Sequence, residues 1–140
     1  MQLDLSSLAH AIAQLEEALS FAHSDLARQD ERLALHLRAA SIQAFEFTYE
    51  LSFKMLKRFL EAAEANPASA EEMTFNEVIR RGYALGLLQE ELAIWKEFRK
   101  DRGTTSHTYQ QQKAQDLFTR IPRFLSEAQF LLAQIQQRQA

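Results

Sequence analysis

The 140 residues carry sixteen Lys plus Arg against nineteen Asp plus Glu, a formal charge of −3, with 46% hydrophobic residues, three Gly, two Pro and no Cys. That length fits one domain across residues 1–140; the hydrophobic content excludes disorder, and the acidic balance excludes a protein that coats duplex nucleic acid without sequence preference. Without Cys there is no disulfide scaffold or cysteine nucleophile, and His10, His23, His36 and His107 are too scattered for a metal motif, so neither metal nor cofactor is expected.

Met1 to Phe21 contains Asp4, Glu16 and Glu17 and no early basic residue. No segment approaches the length of uncharged apolar residues that a membrane span needs, so the expectation is a soluble cytoplasmic protein with no membrane partner. Leu5, Leu8, Ile12, Leu15 and Leu19 step by three or four, which predicts a first helix to about His23. The polar stretch Ser24 to Asp30 reads as a turn. A second helix, about Glu31 to Glu64, carries two apolar stripes. One is Leu33, Leu37, Ala40, Ala44, Phe47, Leu51 and Met55; the other is Ile42, Phe45, Tyr49, Leu56 and Phe59 or Leu60. Such a helix must touch neighbours on two sides, as the central helix of a bundle or with one side against another subunit.

Asn66-Pro67 ends it, because Pro offers no amide donor and forces the preceding residue into extended conformations. Thr74-Phe75-Asn76-Glu77 matches a capping box, with Met73 and Val78 placed as its hydrophobic staple. Phe75, Val78, Ile79 and Tyr83 then share one face up to Gly86, a helix stop for which Gly82 is the competitor and after which Leu87 is placed to cover the last turn. A fourth helix from about Leu88 carries Leu88, Leu92, Trp95 and Phe98 or Arg99, and Arg102 continues that stripe. Gly103 reads as a stop, and Thr104, Thr105 and Ser106 as caps for a final helix from about His107 to Gln137. The stripe of this last helix is Ala114, Leu117, Ile121, Leu125, Ala128, Leu132 and Ile135, with a kink predicted at Pro122. The fold class is therefore all-α, an up-and-down four-helix bundle with one extra short helix.

Chemistry concentrates on Arg102 and His107. Arg presents a fork of donors matched to phosphate oxygens, and His exchanges a proton near neutral pH, so together they suit binding or cleaving a phosphodiester. On a continuous helix the two would stand about 140° apart; a turn at Gly103 removes that obstacle. The plainer reading makes Arg102 a C-terminal helix residue and His107 a first-turn residue. Arg99 adds local positive charge. Glu46 and Glu50, one turn apart, either pair as carboxylates, hold Arg102, or form a solvated face. Trp95 reads by default as core rather than a base-stacking platform.

Phe45 to Glu61, then Trp95, then Arg102-Gly103-Thr104-Thr105-Ser106-His107-Thr108-Tyr109, together resemble the nucleotidyltransferase substrate-binding protein family. That family is HepT-like and belongs to the wider HEPN group, and the resemblance covers roughly Leu8 to the C-terminus. It implies a dimerising helical bundle encoded beside a minimal nucleotidyltransferase, a two-component, toxin–antitoxin-like pair whose catalytic carboxylates lie on the other chain. By the same resemblance, Arg102 would hold phosphate and His107 would act as acid or base in metal-independent RNA cleavage, with Ser106 in the same motif. Tyr109 would accept an adenylyl group from the partner nucleotidyltransferase. HEPN nucleases commonly carry Asn or Asp after the Arg, where this chain has Gly103, which weakens the ribonuclease reading. Three functions follow: a substrate-binding or toxin partner of the nucleotidyltransferase, in contact with nucleotide or RNA; a ribonuclease acting at a dimer cleft; and a helical adaptor, which a His107 packed under apolar side chains would support.

Overall fold

The buried face of the first helix, α1 (Ser6–Ala22), is Leu8, Ala11, Ile12, Leu15 and Leu19. The computed structural model describes residues 2–63 and 71–139, so the Asn66-Pro67 stop and Glu64 lie outside the described residues. Where a turn was expected, residues 25–29 form a five-residue helix, α2 (Asp25–Gln29). Two polar caps in quick succession create it. Ser24 Oγ accepts the Ala27 amide at 3.3 Å, and Asp30 Oδ1 then accepts the amides of Arg32 and Leu33, both at 3.1 Å, to start the next helix.

That helix, α3 (Glu31–Ala63), has 33 residues and is about 50 Å long. It packs most extensively on α1 and next on the last helix, which makes it the central element of the bundle. The stripe holding Ile42, Phe45, Tyr49, Leu56 and Leu60 is buried. Ser41, Thr48 and Ser52 are buried on the same side, and Thr48 Oγ1 donates to Ala44 O at 2.7 Å within its own helix, with Ala11 O of α1 at 3.2 Å. Small hydroxylated residues let α1 approach closely, and the Thr48 hydroxyl finds backbone partners there. The other stripe is covered only in part: Met55 is buried, whereas Phe47 keeps 54% of its surface exposed.

The helix α4 (Phe75–Ala84) starts as its sequence predicts, with Thr74 Oγ1 accepting the Glu77 amide at 3.3 Å. The Thr74 hydroxyl also reaches the Glu77 carboxylate, at 3.2 Å. Gly86 is the stop: its φ is +77°, Leu87 N bonds Gly82 O at 2.9 Å and Gly86 N bonds Tyr83 O at 3.0 Å. These are the paired bonds of a Schellman ending, and Leu87 is buried behind them. Gly82, the competing stop, lies within α4 and packs there; a Cβ on it would come within 3.0 Å of Leu56 and 3.1 Å of Leu88. Its neighbour Tyr83 faces out, because Gly82 takes the inward position.

The helix expected from Leu88 begins four residues later, as α5 (Leu92–Gly103). A residue far along the chain holds the loop that precedes it. Glu127 of α6 (Gln111–Gln139), fully buried, accepts the Gln89 amide, the Glu90 amide and the Trp95 indole N–H, each at 2.9 Å. The carboxylate thus gives the amides of the loop before α5 their acceptor. Burial pushes the Glu127 carboxyl above the ordinary range, against the opposing pull of those three donors. Around Trp95, the rings of Phe98 and Phe124 meet edge to face at 5.1 Å, and Phe45 meets Phe124 the same way at 5.2 Å. Burial in this cluster raises the Tyr49 phenol to about 12.

The last helix runs through Pro122, which is exposed, as one continuous element. At its far end Gln139 clasps the chain start: its Oε1 accepts the Leu3 amide at 2.8 Å and its Nε2 donates to Leu3 O at 3.3 Å. Arg138 Nη2 donates to Leu85 O at 2.6 Å, closing the same end over α4. Among the described residues no helix is long and apolar enough to cross a membrane. Replacing Glu127 by Ala strands two amides and an indole, so Glu127→Ala should lower unfolding stability by on the order of 3 kcal/mol. Urea denaturation measures the loss, and hydrogen exchange at Gln89 and Glu90 should accelerate with it.

Candidate functional site

Arg102 emerges from the last turn of α5 and reaches across to the middle of α3. Its Nε donates to Glu50 Oε1 at 3.1 Å, its Nη2 also bonds Glu50 Oε1, and Glu46 Oε1 lies 3.4 Å from the same nitrogen. Glu46 and Glu50 stand one helical turn apart, so one face of α3 presents both carboxylates to one cation. The hydrogen bond to Glu50, and then the charge of Glu46, raise the Arg102 pKa further above its already high value. Of the three readings open for this carboxylate pair, the structure places it as the holder of Arg102.

Gly103 does not act as a left-handed stop. It is the last residue of α5, Gly86 being the one glycine with positive φ among the described residues. The helix tightens instead, through a 3-10 turn over Thr105–His107, and α6 starts at Gln111 rather than His107. The hydroxyls expected to cap the following helix close the preceding one: Thr104 Oγ1 donates to Asp101 O and Thr105 Oγ1 to Arg102 O, both at 2.9 Å. Ser106 is exposed on the turn. His107 is exposed as well, its ring 6.4 Å from that of Tyr109 and nearly edge-on, and Tyr109 leaves 74% of its surface to solvent. No hydrogen bond joins Arg102 to His107 among the described residues.

Arg102 also lines a groove of about 460 Å³ with Tyr49, Phe53, Lys57, Phe75 and Arg99. Phe53 stacks on Phe75 at 5.4 Å, and the Arg99 guanidinium sits 4.6 Å over the Phe75 ring, a cation–π contact. Trp95 is fully buried and donates to Glu127, so it is core. Sequence reasoning missed Lys57, Phe53 and Phe75 as neighbours of Arg102, although Glu46, Glu50, Phe53 and Lys57 recur at helical spacing on α3. It also missed the pairing of Asp101, 6% exposed, which accepts Arg120 Nε at 2.9 Å and Nη2 at 2.6 Å. This bidentate pair fixes the end of α5 to α6 directly beside Arg102. No group of three or more His, Asp or Glu among the described residues is placed to hold a metal ion.

Bundle and motif together define an all-helical protein whose polar residues gather at one helix end and the turn beyond it. The family described as nucleotidyltransferase substrate binding protein like matches residues 3–137, and the chain belongs to that family. A Haemophilus influenzae protein named probable ribonuclease HepT is 41% identical over 102 residues, spanning 73% of this chain and 69% of that one. A solved Haemophilus influenzae structure, described as revealing the fold of a substrate-binding domain of a nucleotidyltransferase, superposes with a TM-score of 0.88 at 34% identity, over 95% of this chain and 99% of that one. A crystal structure from Thermus thermophilus superposes with a TM-score of 0.71 at 28% identity, over 91% and 98% of the two chains.

The pair between Arg102 and Glu50 is half open to water, with side chains 30% and 52% exposed. A double-mutant cycle on Arg102→Ala and Glu50→Ala should therefore give a coupling of only about 0.5 kcal/mol, shrinking in high salt. Chemical denaturation of the four proteins at two ionic strengths measures it.

Proposed function

We propose that this chain is the substrate-binding partner of a separately encoded minimal nucleotidyltransferase and that Tyr109 is the residue the partner adenylylates. Tyr109 carries the reading: a phenol three-quarters exposed beside an exposed imidazole, on a turn that a second protein can approach. The phenolic oxygen attacks the α-phosphorus of ATP, a phosphorus–oxygen bond forms as diphosphate leaves, and the phenolic proton passes to solvent. The partner chain supplies nucleotide, metal and catalytic carboxylates. The family description and the named fold of the Haemophilus structure support this division of labour.

Homodimerisation belongs to the same proposal. Phe21 and Phe47, more than half exposed, line a groove between α1 and α3 with Ala18, Leu37, Ala40 and Ala44. This is the α3 stripe that the bundle leaves partly uncovered, and a second copy would bury it.

A second reading, metal-independent RNA cleavage, is favoured by the name of the Haemophilus relative. His107 would shuttle the proton while the ribose 2′-hydroxyl attacks phosphorus, and Arg102 would hold phosphate. Two features weigh against it. Arg102 is already engaged by Glu50 and Glu46, and Gly103 offers no side chain. For a purely structural adaptor the supporting observation is missing, since His107 is exposed.

Incubation with the partner nucleotidyltransferase, ATP and Mg²⁺ should add one or more adenylyl groups, detected by intact-mass spectrometry and mapped to Tyr109. Tyr109→Phe should abolish the increment, and modification undiminished in that variant would refute the assignment. If the ribonuclease reading holds, His107→Ala should reduce RNA cleavage by on the order of a hundredfold or more. Equal cleavage by wild type and His107→Ala removes the role of the imidazole.

A further inference from the structure

A groove of about 340 Å³ runs between the first half of α3 and the start of α6, on the other side of the turn from the Arg102 groove. Arg32, His36, Arg38, Thr108 and Tyr109 are on its walls, and apolar residues including Ile42 form its floor. No carboxylate lines it. Arg32 and His36 are one helical turn apart on α3 and both are exposed. Neither side chain has an ion-pair or hydrogen-bond partner among the described residues. Arg38 is held differently: its fork donates to Gln111 and, at 3.2 Å, to Gln115 of α6. Those partners are neutral amides, so the guanidinium is fixed across the groove with its charge uncompensated.

The contrast with Arg102 is electrostatic. Arg102 already faces two carboxylates, whereas this groove holds two arginines and an imidazole with no acidic counterpart. An uncompensated, partly preorganised cation cluster in a concavity favours an anion over bulk water. The volume lies at the small end of organic-ligand sites, about 300–1,000 Å³, and the exposed Tyr109 ring provides a face on which a base can stack.

We propose that this groove seats a nucleoside monophosphate, with its phosphate on Arg32, His36 and Arg38 and its base against Tyr109 and the apolar floor. Free mononucleotide binds there in its own right. The same seat takes a nucleotide tethered to Tyr109, and that second part rests on the adenylylation proposed above.

The test titrates AMP, adenosine and inorganic phosphate separately into the unmodified full chain, followed by calorimetry and amide chemical shifts. AMP should saturate and bind more tightly than either comparison ligand, with shifts gathered over residues 32–42 and 108–114. Arg32→Gln and His36→Gln, both at exposed positions, should each weaken AMP binding by about tenfold, the loss of one charged hydrogen bond. Lys57→Gln, in the Arg102 groove, should leave it unchanged. Thermal unfolding of the variants confirms that they remain folded. Absence of saturable AMP binding at millimolar concentration, equal affinity for adenosine or phosphate, or shifts centred on Arg99 and Lys57 would overturn the assignment. AMP binding without any modification of Tyr109 keeps the groove and removes the acceptor role; modification without AMP binding removes the groove alone.

Discussion

The fully buried carboxylate of Glu127 sets where the surface chemistry can sit. It holds the chain between α4 and α5 by two backbone amides and grips α5 itself through the Trp95 indole. Helix α5 is short, with twelve residues, and isolated helices of that length are marginal in water. Its position therefore depends on tertiary bonds, at its start to Glu127 and at its end through the Asp101 pair with Arg120. Arg102 follows Asp101 directly, so its reach to Glu50 is governed by α6 although neither residue belongs to it.

Helix α3 is the common wall of the polar features. Arg32 and His36, and further along Glu46, Glu50, Phe53 and Lys57, step by three or four residues within each group and share one side of an uninterrupted, proline-free element. The bundle needs α3 to be long because it supports α1, α4, α5 and α6. That length gives the surface room for two grooves of different charge: one beside a neutralised arginine, the other with cations left open. The turn from Thr105 to Tyr109 stands between them.

Local signals were readable in the sequence. Apolar spacing marked the buried face of α1, one of the two stripes of α3 and most of that of α6, where Phe124 and Leu131 are buried in place of the expected Leu125 and Leu132; Thr74 and Gly86 marked the ends of α4, because each depends on residues within a turn or two of itself. Helix α2 escaped notice since two cap residues and five helical ones produce almost no periodicity. Helix α5 starts four residues later than the apolar spacing suggests, and the loop before it is held by Glu127, more than thirty residues away, which no local pattern reports. The grip of Glu50 on Arg102 was accessible as one of several options. The bonds of Arg120 to Asp101 and of Arg38 to α6, and the groove that Arg38 helps to build, depend on how α6 is rotated against its neighbours, which no local spacing encodes.

The clasp of Gln139 on Leu3 has a practical corollary. Both ends of the described chain meet at one pole of the bundle. Tyr109 is at the opposite pole, just ahead of a 29-residue helix that spans about 43 Å. A tether, label or fused module attached at either terminus would hang from the rear of the molecule, leaving the turn and both grooves open. Joining the two ends by a short linker and reopening the chain elsewhere would preserve the same geometry.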